Sequence, residues 1–320
     1  MDFTFNTLRR LLTAFHDSGY LFLSVKEFSE IKARHPGKLI ILRHDVDKKP
    51  AYSLAAANLE SELGIHGTYY FRIRPESFDK GIIKDIALMG HEIGYHYEDL
   101  RMASQTAKVK RRKSISFARA SKVKKVEGRE AKSKREKVLA AIAIESFRAN
   151  VEKLREIAPI DTICMHGSPM SRHDSRLIWK YYDYRELGII AEPYFDFSLD
   201  DVLYLTDTGR KWDGLAVSIR DRAYVRNEGH YSDWIRKPIT GSAMAITEQG
   251  EALRKRFMFK NTDDIVRAAM SQELPERMLI TIHPQRWSKS FPEWMTELLI
   301  QNIKNPVKLL VNRHNLTGKI

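Results

Sequence analysis

The 320-residue sequence predicts an α/β fold around a parallel sheet, and three observations carry that prediction. Short apolar runs rich in β-formers recur, helical stretches alternate with them, and glycines close the helices. Seven runs read as buried strands: Lys38–Leu42, Thr68–Arg72, Glu92–Tyr97, Thr162–His166, Glu192–Phe197, Val202–Thr206 and Leu279–His283. This rhythm fits a doubly wound sheet or a β/α barrel and argues against segregated layers of helix and sheet.

Taken in order, Met1–Tyr20 reads as an amphipathic helix. Phe3–Phe15 and Val25–Ile31 are each apolar on one face, so the first fifty residues pack on the sheet rather than forming a domain. After the first strand, Pro50–Leu63 has helical periodicity and stops at Gly64. Glu76–Met89 does the same between the second and third strands and stops at Gly90. Val138–Ile157 is a further amphipathic helix, closed by Pro159. Lys211–Gln249, punctuated by Gly, Pro, Trp212 and Trp234, reads as loops with short strands. There is no repeat of solenoid length, so residues 1–320 form one domain with a basic helical insertion at about 108–137.

With 43% hydrophobic and 30% charged residues, the composition is that of a globular protein with a sizeable core. The net charge of +13 is concentrated: Lys108–Lys137 holds fourteen Lys or Arg against three Glu, a local +11 that leaves about +2 elsewhere. Such a run can bind nucleic acid or another anionic surface. Phe117 is its only aromatic, however, and a strand-binding platform needs more, so a solvated insertion is the expectation. Met1–Tyr20 is interrupted by Arg9, Arg10, His16 and Asp17, which excludes an apolar signal region, and no later run reaches membrane-spanning length. The single cysteine, Cys164, cannot form a disulfide within the chain. These features predict a cytoplasmic protein.

Chemistry is concentrated at the strand ends. The first strand leaves its apolar run as Arg43-His44-Asp45-Val46-Asp47, and alternation puts Asp45 and Asp47 on one face. Two like charges so placed need a cation or a shared proton between them. The third strand continues Gly90-His91-Glu92-Ile93-Gly94-Tyr95-His96-Tyr97-Glu98, with His96 and Glu98 on a common face. His166 and His283 likewise end apolar runs. In a barrel of parallel strands these carboxyl ends meet at one rim. Imidazole and carboxylate donors suit Zn²⁺, and Mn²⁺, Co²⁺ or Ni²⁺ accept the same set.

Arg43-His44-Asp45-Val46-Asp47, Gly90-His91-Glu92-Ile93-Gly94-Tyr95-His96 and Leu279-Ile280-Thr281-Ile282-His283-Pro284 resemble motifs of the polysaccharide deacetylases, the NodB-homology family. The resemblance implies a distorted seven-stranded parallel β/α barrel and a metal-dependent hydrolase. Such an enzyme removes an acetyl group, as amide or ester, from a carbohydrate. It implies that Asp45 is the base, Asp47 and His96 are metal ligands, and His283 is the general acid. Here the acidic pair is split by Val46, and Leu100 stands where the family carries its second metal histidine. His166 is the expected replacement, with Glu98 and His44 as alternatives. Asp207, Arg210 and Trp212, then Arg286 and Trp287, and also Arg43 are candidate sugar contacts, through aromatic faces and bidentate guanidinium groups. Two other classes compete with the hydrolase: a carbohydrate-binding barrel without catalysis, and an anionic-surface or nucleic-acid binder acting through the basic insertion.

Overall fold

The computed structural model describes the chain except residues 32–35, 107–128, 168–173, 198–201, 213–251, 254 and 303–320, and the side chains of 129–132. Seven strands form one sheet: β1 (Leu21–Leu23), β2 (Leu39–Val46), β3 (Thr68–Phe71), β4 (Glu92–Tyr97), β5 (Ile163–Met165), β6 (Leu203–Thr206) and β7 (Arg277–Ile282). Their order is β5-β4-β3-β2-β7-β6, with β1 added to β2, and every pairing is parallel. The sheet curls into a half-barrel whose end strands, β5 and β6, do not pair with each other.

The curl is that of a distorted parallel barrel which does not close. Residues 192–197 were expected as a strand, but Pro193–Asp196 form a helical turn, α6, with Pro193 at its first position. Proline has no N–H for a ladder and is preset for a helix start. What remains of strand character is one bridge from Ala191 to Thr162, beside β5. The seventh strand is instead β1, which pairs Leu21–Leu23 with Leu39–Ile41. The central strand, β2, runs on through Val46, so Arg43, His44 and Asp45 lie within the sheet and all eight of its residues are buried.

Helices cover the outer face. α1 (Phe5–Asp17) is capped by Thr4 and buries Leu8, Leu11, Leu12 and Phe15 beside α7 (Thr262–Met270), itself started by an Asn261–Asp264 capping box. α2 is Val25–Ile31, α3 is Pro50–Glu62 and α4 is Lys80–Leu88, capped by Asp79. Gly64 and Gly90 follow α3 and α4 at φ +65° and +87°, the left-handed conformation that ends a helix at least cost in a residue without Cβ. α5 (Arg129–Arg155) starts nine residues before the expected Val138 and takes in the last part of the basic run. It buries Leu139, Ala143, Phe147, Val151 and Leu154. The rest of that run, 108–128, and almost all of Lys211–Gln249 lie outside the described residues.

The large apolar core sits between sheet and helices, and a smaller one fills the inside of the curl with Val25, Ile41, Tyr70, Cys164, Phe197, Tyr204 and Leu279. No helix among the described residues is long and apolar enough to cross a membrane.

Candidate metal centre

Above that inner cluster the carboxyl ends of six adjacent strands carry a polar constellation. Parallel register sets Asp45 opposite Tyr70, Tyr70 opposite Gly94, and His96 opposite Cys164, so these residues share the inner face. Gly94 is required there. A Cβ at this position would overlap the Tyr70 ring and come within 3.0 Å of the Thr162 carbonyl oxygen. The Tyr70 ring in turn lies 5.7 Å from the Arg43 guanidinium, whose other side meets Tyr194 at 5.3 Å. Thus held, Arg43 donates to both oxygens of Asp45 at 2.7 and 2.6 Å.

His96 is 1% exposed, and burial outweighs the neighbouring aspartates to lower its pKa to about 4, so the ring is neutral. Its Nδ1 lies 3.0 Å from the carbonyl oxygen of Cys164, which can only accept, so the proton sits on Nδ1. Nε2 therefore presents a lone pair, and it faces Asp45 Oδ2 and Asp47 Oδ1, both at 3.7 Å. His166 brings Nε2 to 3.2 Å from the same Asp47 oxygen, a buried atom with no other close donor among the described residues.

Burial alone would raise both aspartates. Arg43 beside Asp45 and His166 beside Asp47 outweigh it, His96 and His283 add to the effect, and both carboxyls stay well below their usual range. For His166 burial acts to lower the pKa, and Asp47 with Glu98 outweighs it, leaving a net rise.

Asp47, His96 and His166 each offer one ligand atom, and the three atoms lie within 4.8 Å of one another. An ionised carboxylate, a lone pair aimed at it and a second imidazole fit a divalent transition ion. A second group of three, Asp45, His96 and Cys164, meets the same distance test. It is the poorer fit, because Arg43 already neutralises Asp45 and burial pushes the Cys164 thiol up, away from the thiolate a metal needs.

The remaining sequence candidates divide into supports and bystanders. His44 points to the opposite face of β2, where Nε2 is 2.8 Å from Glu60 and the ring stacks on Tyr69, so alternation removes it as a ligand. Glu98 Oε2 is 3.5 Å from His166 Nδ1, placed where a carboxylate behind a ligand ring can orient it. Asp207, a candidate sugar contact in the sequence, is fully buried. It accepts from His283 N at 2.9 Å and Trp287 Nε1 at 2.8 Å, and pairs with His283 Nδ1 at 2.6 Å and Arg286 at 2.9 Å.

Trp287 is likewise sealed, and Trp212 packs against it and Phe3 while donating to Thr262. Arg210 is buried and bonds the carbonyls of Asp2 and Trp294. Neither tryptophan has an open face for a sugar ring, and Arg43 is spent on Asp45. Arg286 is a support of the same kind, with its guanidinium on Asp207.

Sequence reasoning missed Asp207 as the partner of His283. It also missed Gln285, which donates to Asp47 Oδ2 at 3.3 Å, and Arg72, which donates to the Asp47 carbonyl at 2.9 Å. Alternation along Thr68–Arg72 would have put Arg72 on the rim face with Tyr70. Comparison with protein-family models, with curated proteins and with solved structures finds no match for this chain.

Proposed function

We propose that the protein is a metal-dependent hydrolase, and that it removes an acetyl group, as amide or ester, from a carbohydrate. The observation that carries the proposal is the convergence of Asp47, His96 and His166, with the Arg43-held Asp45 and the Asp207-held His283 among the groups around it. Two histidines and one carboxylate are the donor count of a catalytic centre with an open position. Loss of the second metal histidine at the Leu100 position would favour a barrel without catalysis. Leu100 is fully buried, and His166 supplies the second imidazole from another strand.

Bound there, a divalent ion would supply Lewis-acid polarisation of the acyl group. The chain's own residues do the rest. Arg43 fixes Asp45 in one orientation and keeps it ionised, ready to accept a proton from water. The same pairing weakens its basicity, so its contribution sits at the low end of general-base catalysis, about 10²-fold. Asp207 pairs with His283 Nδ1, so that in the imidazolium form Nε2–H passes its proton to the departing amine or alcohol and leaves the neutral ring, while Asp45 holds the proton taken from water. The acetyl selectivity and the sugar class rest on the resemblance of the three motifs to polysaccharide deacetylases.

The test is acetate release from a panel of acetylated amino sugars by protein reconstituted with Zn²⁺, Mn²⁺, Co²⁺ or Ni²⁺. Turnover that EDTA abolishes and metal restores is expected, with Asp45→Asn slowed about 10²-fold while keeping its ion. Turnover indifferent to chelator, or unaffected by Asp45→Asn, would overturn the assignment.

A further inference from the structure

Glu98 is held by more positive charge than it needs. Its carboxylate, 3% exposed, accepts at Oε1 from Arg72 Nε and Nη2 at 3.1 and 2.6 Å and from Arg74 Nε at 2.8 Å, and at Oε2 from Arg101 Nη1 at 2.8 Å. Three guanidiniums converge on one carboxylate, and Arg72 alone would satisfy it. Among the described residues the other acid paired with these arginines is Glu76, half exposed and 3.6 Å from Arg72, so the five described groups sum to a formal +1.

The three arginines are not equivalent. Arg72 is nearly sealed and is also bonded to the carbonyl of Asp47. The side chains of Arg74 and Arg101 are 27% and 30% exposed, and each spends a single N–H on Glu98. A guanidinium carries five N–H donors, so four on each remain without a protein partner among the described residues. Because the two are anchored on the two oxygens of one carboxylate, their outer edges belong to one patch. Holding like charges so close is unfavourable unless an anion offsets them.

The patch abuts the candidate centre. The His166 ring lies between them, 3.5 Å from Glu98 and 3.2 Å from Asp47. From this geometry we infer that Arg74 and Arg101 form a seat for an anionic oxygen group, phosphate or carboxylate, carried by the substrate beside its reacting end. Planar forks on a rim suit such groups through bidentate, charge-assisted bonds. The inference rests on the hydrolase reading only for calling the ligand a substrate. The anion seat itself is testable without turnover.

Isothermal titration calorimetry of the purified protein, with metal content measured on the same sample, provides the test. The probes are inorganic phosphate, glucose 1-phosphate, glucuronate and glucose. At least one anionic probe should bind more tightly than glucose, with affinity that falls as salt is added, and the tighter of glucose 1-phosphate and glucuronate identifies the anion. Arg74→Gln and Arg101→Gln should each weaken that probe by about tenfold or more, with Arg74→Lys intermediate because it keeps charge and loses the fork.

Both side chains are part-exposed and Arg72 still holds Glu98, so the folds should persist, which thermal melts of each variant verify. Affinity unchanged in both Gln variants, glucose as tight as the anions, or no anion binding at millimolar concentration would each overturn the inference. Arg-dependent anion binding to protein that takes up no metal would uphold the seat and sink the hydrolase. Metal uptake without Arg-dependent binding would do the reverse.

Discussion

Replacing Asp207 by Asn should uncouple His283 from its support at a cost that the contacts allow us to work out. The carboxylate is fully buried and meets four donors: His283 N and Trp287 Nε1 at Oδ2, His283 Nδ1 and Arg286 Nη1 at Oδ1. An amide has one oxygen. With that oxygen at the Oδ2 position, the backbone and indole bonds survive and an NH₂ group confronts the imidazole and the guanidinium. Each charge-assisted bond of this kind contributes about 1.5 to 3 kcal/mol. The His283 and Arg286 side chains keep 11% and 12% exposure, so water relieves part of the loss. We expect Asp207→Asn to lower unfolding free energy by about 3 kcal/mol, read from urea transitions at fixed slope, and Trp287→Phe to lose less. Any turnover should fall more steeply than stability does. A shift below about 1 kcal/mol would refute the view that this carboxylate bears on His283 and Arg286.

Gly94→Ala should cost about 1 to 3 kcal/mol by driving a methyl group into Tyr70, measured as a lower melting temperature; an unchanged melt would mean that the ring is not packed on this glycine. Burial pushes the Glu192 carboxyl up to about 8 against an ordinary 4.5, so the folded chain keeps a proton that the unfolded chain gives up. The resulting stability is complete below about pH 4.5 and is lost as pH rises to about 8. Wild type should therefore lose about 2 to 3 kcal/mol relative to Glu192→Gln between pH 5 and 7, and parallel stability curves for the two proteins would contradict this. Glu98→Gln should weaken metal binding about tenfold or more in competition with a chelator, since the carboxylate orients His166; equal affinities would show that His166 is held without it.

Much of the candidate site was legible because each of its groups ends an apolar run. Asp45 and His96 lie just inside, and Asp47, His166 and His283 just beyond, the carboxyl ends of their strands, and parallel strands bring such ends together whatever the order of the strands. What failed was whatever depends on neighbours distant in sequence. Asp207 supports His283 because β6 lies against β7, pairing Thr206 with Thr281, and neither sequence run records that adjacency. Thr206-Asp207-Thr208 reads equally well as a rim loop. Whether the curled sheet closes is likewise set by two end strands and is not written in any one run.

The misread strand had a local cause. Tyr194, Phe195 and Phe197 are strong β-formers, and they masked Pro193, the residue that sets the helical turn. β1 escaped because three residues, Leu21–Leu23, are too few to show alternation. His44 shows the opposite case. Its side was fixed by the same alternation that paired Asp45 with Asp47, and its partner Glu60 came from α3.

Hydrolytic chemistry at this rim requires that Asp47, His96 and His166 hold an ion. The most direct test is elemental analysis of purified protein after extensive dialysis, wild type beside His96→Ala, His166→Ala and Cys164→Ser. Wild type should carry near-stoichiometric divalent transition metal, lost in both histidine variants and retained in Cys164→Ser. Protein that neither carries nor takes up metal would contradict the ligand assignment, as would metal lost only with Cys164.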